Sequence, residues 1–480
     1  MNLNPKYIKA NIDEIGIKEA ATILKEWIDN SNDDELRESA LELLGEIDDR
    51  EGKSFNYYEQ LFLSDEDIEV SIIAGKIIKN KCVHSHYKKV MNLFKFTLNK
   101  IYSLQKRLLA LEILSELDTK ATRKIIGDFL KDSIKKHYKN KIQEFPKDIL
   151  NINYNIAISP KTIKICENII LGEYYTNTCG YNISMRNGLI ILLSCEGSNL
   201  SNIDDIVGLD KLTGLKHLLL QRNEINRIES LEKLTGLKVL NLSRNMINKI
   251  ENLTNLTKLE ELILSHNEVT KIENLDCLMN LKSLILDNNK IYEIENIEKL
   301  TKLEVLNLNH NRISEIKNLN SLIKLKDLHL SSNKIEKITG LSNLNNLKFL
   351  HLNNNKIEKI EGLDKLEKLK GLYMTNNRIT RISGLENLHD LNKLQLSNNQ
   401  IGKIEGLNDL KLQEVYLDNN RIEKLEGLDT LDNLVILFLK NNKISEYKGV
   451  DHLKSLNFVF LNENPLTKES WERYSKKFKF

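Results

Sequence analysis

One spacing constrains this chain more than any other feature. Asparagine stands at Asn223, Asn245, Asn267, Asn289, Asn311, Asn333, Asn355, Asn377 and Asn399, always 22 residues apart, and then at Asn420, Asn442 and Asn464. Counted from each Asn, apolar residues recur at +2, +5, +8, +11, +14, +17 and +19. From Asn223 these are Ile225, Ile228, Leu231, Leu234, Leu237, Leu240 and Leu242. A fixed period of this length predicts a stacked solenoid, because no single turn can bury its apolar face alone.

The +17 and +19 residues (Leu240 and Leu242, Leu262 and Leu264, Leu306 and Leu308) alternate with outward positions as in one short strand. Stacked turns then place strand beside strand in one continuous parallel sheet. The anchor Asn ends the strand, and its short amide is suited to satisfy backbone groups of the next turn that burial would leave unpaired. The pattern L-x-x-L-x-x-L-x-L-x-x-N-x-I-x-x-I resembles the leucine-rich repeat, in particular the 22-residue class typified by a regulatory subunit of type 1 protein phosphatase. Bacterial internalins share the period. The resemblance covers more than half of the chain. It implies an α/β solenoid with a parallel sheet on its concave face and 3₁₀-type or irregular turns on its convex face. Twelve strands about 4.8 Å apart make a floor of roughly 50 Å, the size of a protein partner.

With 480 residues the chain is long enough for two or three domains. The expected organisation is an all-α domain over 1–140, a linker and N-terminal cap over 141–200, repeats over 201–464 and a C-terminal cap over 465–480. Basic and acidic residues number 70 and 68, a balance that argues against an electrostatic nucleic-acid binder. The cysteines (Cys82, Cys166, Cys179, Cys195, Cys277) are odd in number and lack paired spacing, as in reduced cytosolic proteins. Met1–Lys6 opens no apolar signal region, and no stretch approaches a membrane span. The expectation is a cytoplasmic chain without membrane partners, which argues against the adhesin role of internalins.

Before the repeats the period changes. Ala20, Ile23, Leu24, Trp27 and Ile28, then Leu36, Ala40, Leu43, Leu44 and Ile47, follow helical spacing, with Asp33 and Asp34 where an N-cap belongs. The segments Asp34–Gly45, Asp67–Ile78 and Leu104–Leu114 read as copies of one another, each with a small residue (Ala40, Ala74, Ala110) where helices would pack closely. This resembles HEAT or armadillo-like helical repeats, whose second helix often carries such an Arg and Ala. Over 141–200 the prolines Pro146 and Pro160 interrupt the helical pattern. Ile156, Ile158, Ile163 and Ile165 alternate as in a strand, and Tyr174-Tyr175-Thr176 and 188–193 also look extended. After Asn464, the aromatic residues Trp471, Tyr474 and Phe478 resemble the C-terminal cap of intracellular leucine-rich repeat proteins and are expected to plug the last turn.

Motifs for chemistry fail on their own spacing. Gly52-Lys53-Ser54 ends like a phosphate loop, but Ile47 stands where its first glycine belongs. Asp65, Asp67 and Glu69 open like a calcium loop that Val70 and Lys76 do not complete. Cys82, His84 and His86 lack a second cluster for a tetrahedral metal. No nucleophile elbow, zinc-protease or dinucleotide motif is present. The chain is expected to be non-enzymatic, with no catalytic residues, cofactor or metal. The run Lys120–Lys141 carries eight Lys or Arg and two Asp (Asp128, Asp132), either a solvated helix face or a contact for nucleic acid or acidic protein.

In a solenoid of this kind the outward strand residues form columns. The +18 column runs Asn241, Ile263, Ile285, Asn307, His329, His351, Tyr373, Gln395, Tyr416, Phe438, Phe460, joined at +16 by Phe349 and Phe458. Aromatic side chains on a solvated face fill no core and dominate interface hot spots. A polar column at +20 (Asp287, Asn309, Ser331, Asn353, Thr375, Ser397, Asp418, Lys440) would form a rim. The opposing reading is that the rings reflect strand propensity and cross-strand stacking. The phosphatase regulators bind their enzyme through this face with acidic and aromatic residues. Here acids are few (Glu261, Asp287, Asp327, Glu414, Asp418), and a helical N-terminal half is foreign to their plan. The expected function is a protein-interaction scaffold or regulator that holds a protein partner on the concave face. A phosphatase or GTPase-linked partner is one refinement, and a nucleic-acid adaptor acting through 120–141 is the alternative.

Overall fold

The computed structural model describes residues 4–48, 54–101, 103–139, 142 and 145–477. Met1–Leu3, Gly52, Lys53, Lys141 and Phe478, all named above, lie outside the described residues. The chain divides into two compact units, Met1–Ile190 and Ile191–Phe480.

The first unit is helical: α1 Pro5–Ala10, α2 Ile12–Ile15, α3 Ile17–Asn30, α4 Asp34–Ile47, α5 Phe55–Ser64, α6 Ile68–Ile77, α7 Tyr87–Lys100, α8 Leu104–Leu117, α9 Lys120–His137, α10 Lys147–Leu150 and α11 Pro160–Asn177. Helices pack in sequential pairs, α3 on α4, α5 on α6 and α7 on α8, while α11 closes on α8 and α9. Asp33 caps α4 by accepting from Leu36 N at 3.1 Å, and Ser103, Thr119 and Ser159 cap α8, α9 and α11 in the same way. Ala40, Ala74 and Ala110 are fully buried, where a longer side chain would hold the paired helices apart.

Three residues before each alanine the second helix carries a donor for the end of the first. Arg37 Nε donates to Ile28 O at 2.9 Å, Ser71 Oγ to Leu61 O at 3.1 Å and Arg107 Nε to Leu98 O at 3.1 Å. All three are last-turn carbonyls; Ile28 O and Leu98 O have no partner within their own helix, while Leu61 O also accepts from Asp65 N at 3.1 Å. Each arginine is in turn held by a carboxylate, Arg37 by Asp65 at 2.6 Å and Arg107 by Glu173 at 2.8 Å.

The extended reading of 156–165 and 174–176 is overturned. Ile163, Ile165 and Tyr174-Tyr175-Thr176 lie in α11. Pro160 starts that helix instead of breaking it, because at the first helical position its missing N–H had no partner to lose. Ile165, Ile169, Ile170 and Tyr175 then point into the core. The stretch 188–193 does contain a strand, Leu189–Ser194.

In the second unit Leu192 of that strand pairs in parallel with His217 of the strand His217–Leu219. Three-residue strands then recur once per turn to Phe458–Phe460, each in register with its neighbours, as in Leu328↔Leu350↔Leu372↔Leu394. The strand centres are buried and their flanks half-exposed. Between strands the chain turns back through successive i→i+3 bonds, Leu234 N to Leu231 O and Leu237 N to Leu234 O, both 2.9 Å. All seven apolar positions of each turn are buried, a stabilisation of about 1.5–3 kcal/mol per side chain.

The anchor Asn acts on the turn before it, where the sequence suggested the turn after. Asn311 Nδ2 donates to Leu286 O of the preceding turn at 3.0 Å and to Leu308 O of its own at 3.1 Å. Its Oδ1 accepts from Ile291 N of the preceding turn at 2.9 Å. The bonds recur from Asn245 to Asn464, for instance Asn464 Nδ2 to Leu439 O at 2.8 Å. The one-residue deletion before Asn420 falls in the outer turn, and Asn420 keeps Leu396 O at 3.0 Å and Ile401 N at 3.0 Å.

At +7 from the anchor the backbone is left-handed. Ser230 occupies this position in the turn that follows Asn223, and then Asn252, Asn274, Asn296 and Asn318, whose Nδ2 atoms donate to the isoleucine carbonyls of the preceding turn at 2.7 to 2.8 Å. From Gly340 on it is glycine. A Cβ at Gly427 would lie 2.1 Å from Ile404 O.

At the C-terminal end α12 (Lys468–Lys477) covers the last turn. Tyr474 is buried and donates to Val459 O at 2.8 Å. Trp471 was expected as a second plug but is 48% exposed. Helical spacing aims Ser470 and Tyr474 at the core, and Trp471 falls one position off that face.

Asn311→Ala removes four bonds and leaves Ile291 N buried and unpaired, while Leu286 O keeps Asn289 and Leu308 O keeps Asn333, so its urea midpoint should fall by the equivalent of about 1–3 kcal/mol. Gly427→Ala should destabilise by about 1–3 kcal/mol, whereas Gly402→Ala, with open space around its Cβ position, should leave the midpoint in place.

Candidate functional site

Burial of the +17 and +19 leucines forces the residue between them to the opposite side of each strand. The +18 side chains therefore line up across neighbouring strands with the register of the sheet, His329 beside His351 beside Tyr373, and Tyr416 beside Phe438 beside Phe460. They stack. His329 and His351 have ring centroids 4.2 Å apart with planes 7° from parallel, and His351 and Tyr373 are 4.3 Å apart at 4°. Tyr416 and Phe438 follow at 4.8 Å and 10°, then Phe438 and Phe460 at 4.3 Å and 11°.

Gln395 separates the two stacks. All seven of these residues are half-buried: their faces cover one another and their edges meet solvent. Stacking and exposed aromatic edge are thus both present in one structure, so the two sequence readings do not exclude each other. Each stacked pair is worth about 0.5–1.5 kcal/mol beyond its buried area. At +16, Phe349 is half-buried and Phe458 is 51% exposed.

Charge is arranged around the second stack. Lys393 Nζ meets Glu414 Oε2 at 2.8 Å and lies 5.2 Å from the Tyr416 ring centroid, while Tyr416 Oη donates to the same carboxylate at 2.8 Å. The bond from Lys393 holds Glu414 below the usual carboxylate range, and burial raises Tyr416. In the first stack, burial lowers His329, opposed by Asp327 and Asp287. Burial, and then the neighbouring His329, push His351 down to about 4. Both shifts favour the neutral ring within the stack.

Several contributions were not read from the sequence. Gly371 stands between Phe349 and Tyr373, and a Cβ there would lie 2.8 Å from Tyr373 Cε2 and 2.9 Å from Phe349 Cδ1, so its missing side chain makes room for both rings. The polar +20 column, expected as a rim, is largely a second ladder. Asn309 Oδ1 accepts from Ser331 N at 2.7 Å, Asn353 Oδ1 from Thr375 N at 2.8 Å and Asp418 Oδ1 from Lys440 N at 2.8 Å. Asx residues at this spacing were the available signal.

Elsewhere the near-motifs have structural partners. Asp65 holds Arg37, and Asp67 caps α6 by accepting from Glu69 N at 2.8 Å. Cys82 is buried and His86 stacks on Phe55 at 5.2 Å. Most of the basic run lies in α9, which buries Ile126, Phe129, Leu130 and Ile134 and pairs Arg123 with Asp118 at 2.7 Å.

Comparison with known proteins identifies the repeats. Residues 213–269 match a leucine-rich repeat family model, and 280–321, 301–343, 323–365 and 367–409 match a model for leucine-rich repeats in two copies. No curated protein matches. Among solved structures, an internalin of Listeria monocytogenes is similar, with 28% identity and a TM-score of 0.57, over 64% of this chain and 93% of the other. A leucine-rich repeat protein of Leptospira interrogans is 28% identical with a TM-score of 0.54, over 58% of this chain and 74% of the other. The LRIM1/APL1C complex, at 21% identity and a TM-score of 0.52 over 60% of this chain and 55% of the other, shares the fold.

A depressed imidazole pKa means that the unfolded chain takes up the proton first. The stabilising stack should therefore be intact above the usual imidazole value of about 6.5 and weaken as pH falls below it. Ring NMR titrations should place both His329 and His351 below that value, with His351 near about 4. Midpoints at the ordinary value would show that the rings stand free in solvent.

Proposed function

We propose that the leucine-rich repeats of this chain hold a protein partner on their concave face, and that the protein is a non-enzymatic scaffold or regulator. The observation that carries this reading is the pair of aromatic stacks, His329–His351–Tyr373 and Tyr416–Phe438–Phe460, with Phe349 and Phe458 beside them. Six rings held by the sheet lose little conformational freedom on binding, and half-buried aromatic edges supply contact area. Gln395 between the stacks offers an amide for orientation.

The helical unit, in this reading, is a HEAT-like array that offers a second docking surface. Repeated donors at Arg37, Ser71 and Arg107 support the repeat character. A phosphatase or a GTPase-linked protein is the partner class suggested by the 22-residue repeat. A cytoplasmic setting is supported by five cysteines with no disulfide among them, three of them buried. Among the described residues, no helix is long and apolar enough to cross a membrane.

An affinity capture from native lysate with wild type beside Tyr373→Ala/Tyr416→Ala/Phe438→Ala tests the concave site. Circular dichroism should show both chains folded, since the leucine core is untouched. A partner held by wild type and lost, by at least about tenfold in Kd, from the triple variant is the expected outcome. Equal capture would move the site off this face.

A further inference from the structure

The residue just before each strand, at +15, carries a charge pattern with its own internal comparison. From Lys238 the column reads Lys238, Glu260, Lys282, Glu304, Lys326. Opposite charges one strand apart pair off: Glu260 meets Lys238 at 2.5 Å and Lys282 at 2.7 Å, and Glu304 meets Lys326 at 2.5 Å. The two lysine bonds hold the Glu260 carboxyl down to about 2. One turn earlier, Lys216 donates instead to Gly236 O at 3.2 Å. The alternation then stops, and Lys326 is followed by Lys348 and Lys370. Among the described residues neither Lys348 nor Lys370 has an ion-pair partner.

Strands lie about 4.8 Å apart, so Lys348 and Lys370 stand on adjacent turns with no carboxylate between them, where a glutamate at 348 would restore the alternation. The row is matched turn for turn to the first stack, Lys326 with His329, Lys348 with His351 and Lys370 with Tyr373. Beside it opens a cavity of about 370 Å³ lined by Glu304, Lys324, Lys326, Asn346, Lys348 and Lys368. Unpaired positive charge on the turns that carry the first stack is matched by negative charge on a partner.

We propose that the segment docking along His329–His351–Tyr373 is an acidic stretch of polypeptide whose carboxylates neutralise Lys348 and Lys370 and share Lys326 with Glu304. This inference rests on the concave-face reading and names the chemistry of its partner. A single-stranded nucleic acid is the other polyanion to weigh, but it binds aromatic platforms by stacking bases on open ring faces. Here those faces are consumed in ring-on-ring contacts at 4.2 and 4.3 Å, and Asp327 stands beside the row. Carboxylates need only the ammonium groups, and tyrosine or leucine side chains between them would meet the exposed ring edges.

Fluorescence anisotropy on the full chain tests this with three labelled probes: a glutamate-rich peptide with interspersed tyrosines, a lysine-rich peptide of equal length, and oligouridylate. The acidic peptide should bind best, more weakly as salt rises, and about tenfold more weakly to K326Q/K348Q/K370Q, the combined loss of three exposed charge pairs. K238Q/K282Q, which removes paired lysines of the same column, should bind as wild type does. Lys348→Glu should raise the thermal midpoint by restoring the alternation while abolishing peptide binding. Undiminished binding by the lysine variant, tighter binding of oligouridylate, no binding of the acidic peptide to wild type, or a lowered midpoint for Lys348→Glu would each overturn the inference. Tyr373→Ala/Tyr416→Ala/Phe438→Ala in the same assay separates the two readings. Loss with the aromatic variant but not with the lysine variant leaves the concave site standing and removes the acidic partner. Loss with neither removes both.

Discussion

A strand of three residues is too short to satisfy the backbone around it, and the rest of the solenoid depends on how that deficit is met. At the end of each strand the chain bends inward and leaves a carbonyl of its own turn, a carbonyl of the preceding turn and a preceding N–H in a leucine-lined interior. One asparagine side chain serves all three, as Asn311 does for Leu308 O, Leu286 O and Ile291 N. Each would cost about 1–3 kcal/mol if left unpaired. Asparagine suits the task because a short amide both donates and accepts from one rigid group. A register shift of one residue would place that amide on the wrong face, so the same interaction that stabilises each turn also fixes its alignment with the last.

Once register is held, the outward face becomes a set of columns with defined neighbours about 4.8 Å apart. Planar side chains can then stack, as His329, His351 and Tyr373 do, and opposite charges can pair from turn to turn, as Lys238, Glu260 and Lys282 do. Both arrangements follow from one repeat distance. Each turn thus adds to two rigid aromatic stacks on the concave face and to a charge row just before the strands that is balanced at one end and unbalanced at the other. The helical unit solves the corresponding problem with different residues. There Arg37, Ser71 and Arg107 reach from one helix to last-turn carbonyls of its partner, the service that asparagine performs in the repeats.

Much of this was legible in the sequence because a repeat states its rule many times over. The seven apolar positions, the anchor and the alternation of the strand could be read from any single turn and checked on the others. The solvent-facing column at +18 followed by subtraction. Legibility failed where no repetition existed. Pro160 was read as a breaker because a proline's effect depends on whether it stands inside a helix or at its first position, and only the cap at Ser159 decides that. Trp471 and Tyr474 are both aromatic near the chain end, yet one residue of helical phase exposes the first and buries the second.

By itself the sequence determined the solenoid, its period, its parallel strands and the identity of the residues on each face, since these depend only on which positions are apolar. The tertiary structure decided what those faces do. It brought Asn311 to the preceding turn, set the histidine and tyrosine rings face to face, gave Gly371 its purpose beside two rings and left Lys348 and Lys370 side by side. Those relations join residues about one turn apart in the chain, and their distances exist only after the turns have stacked.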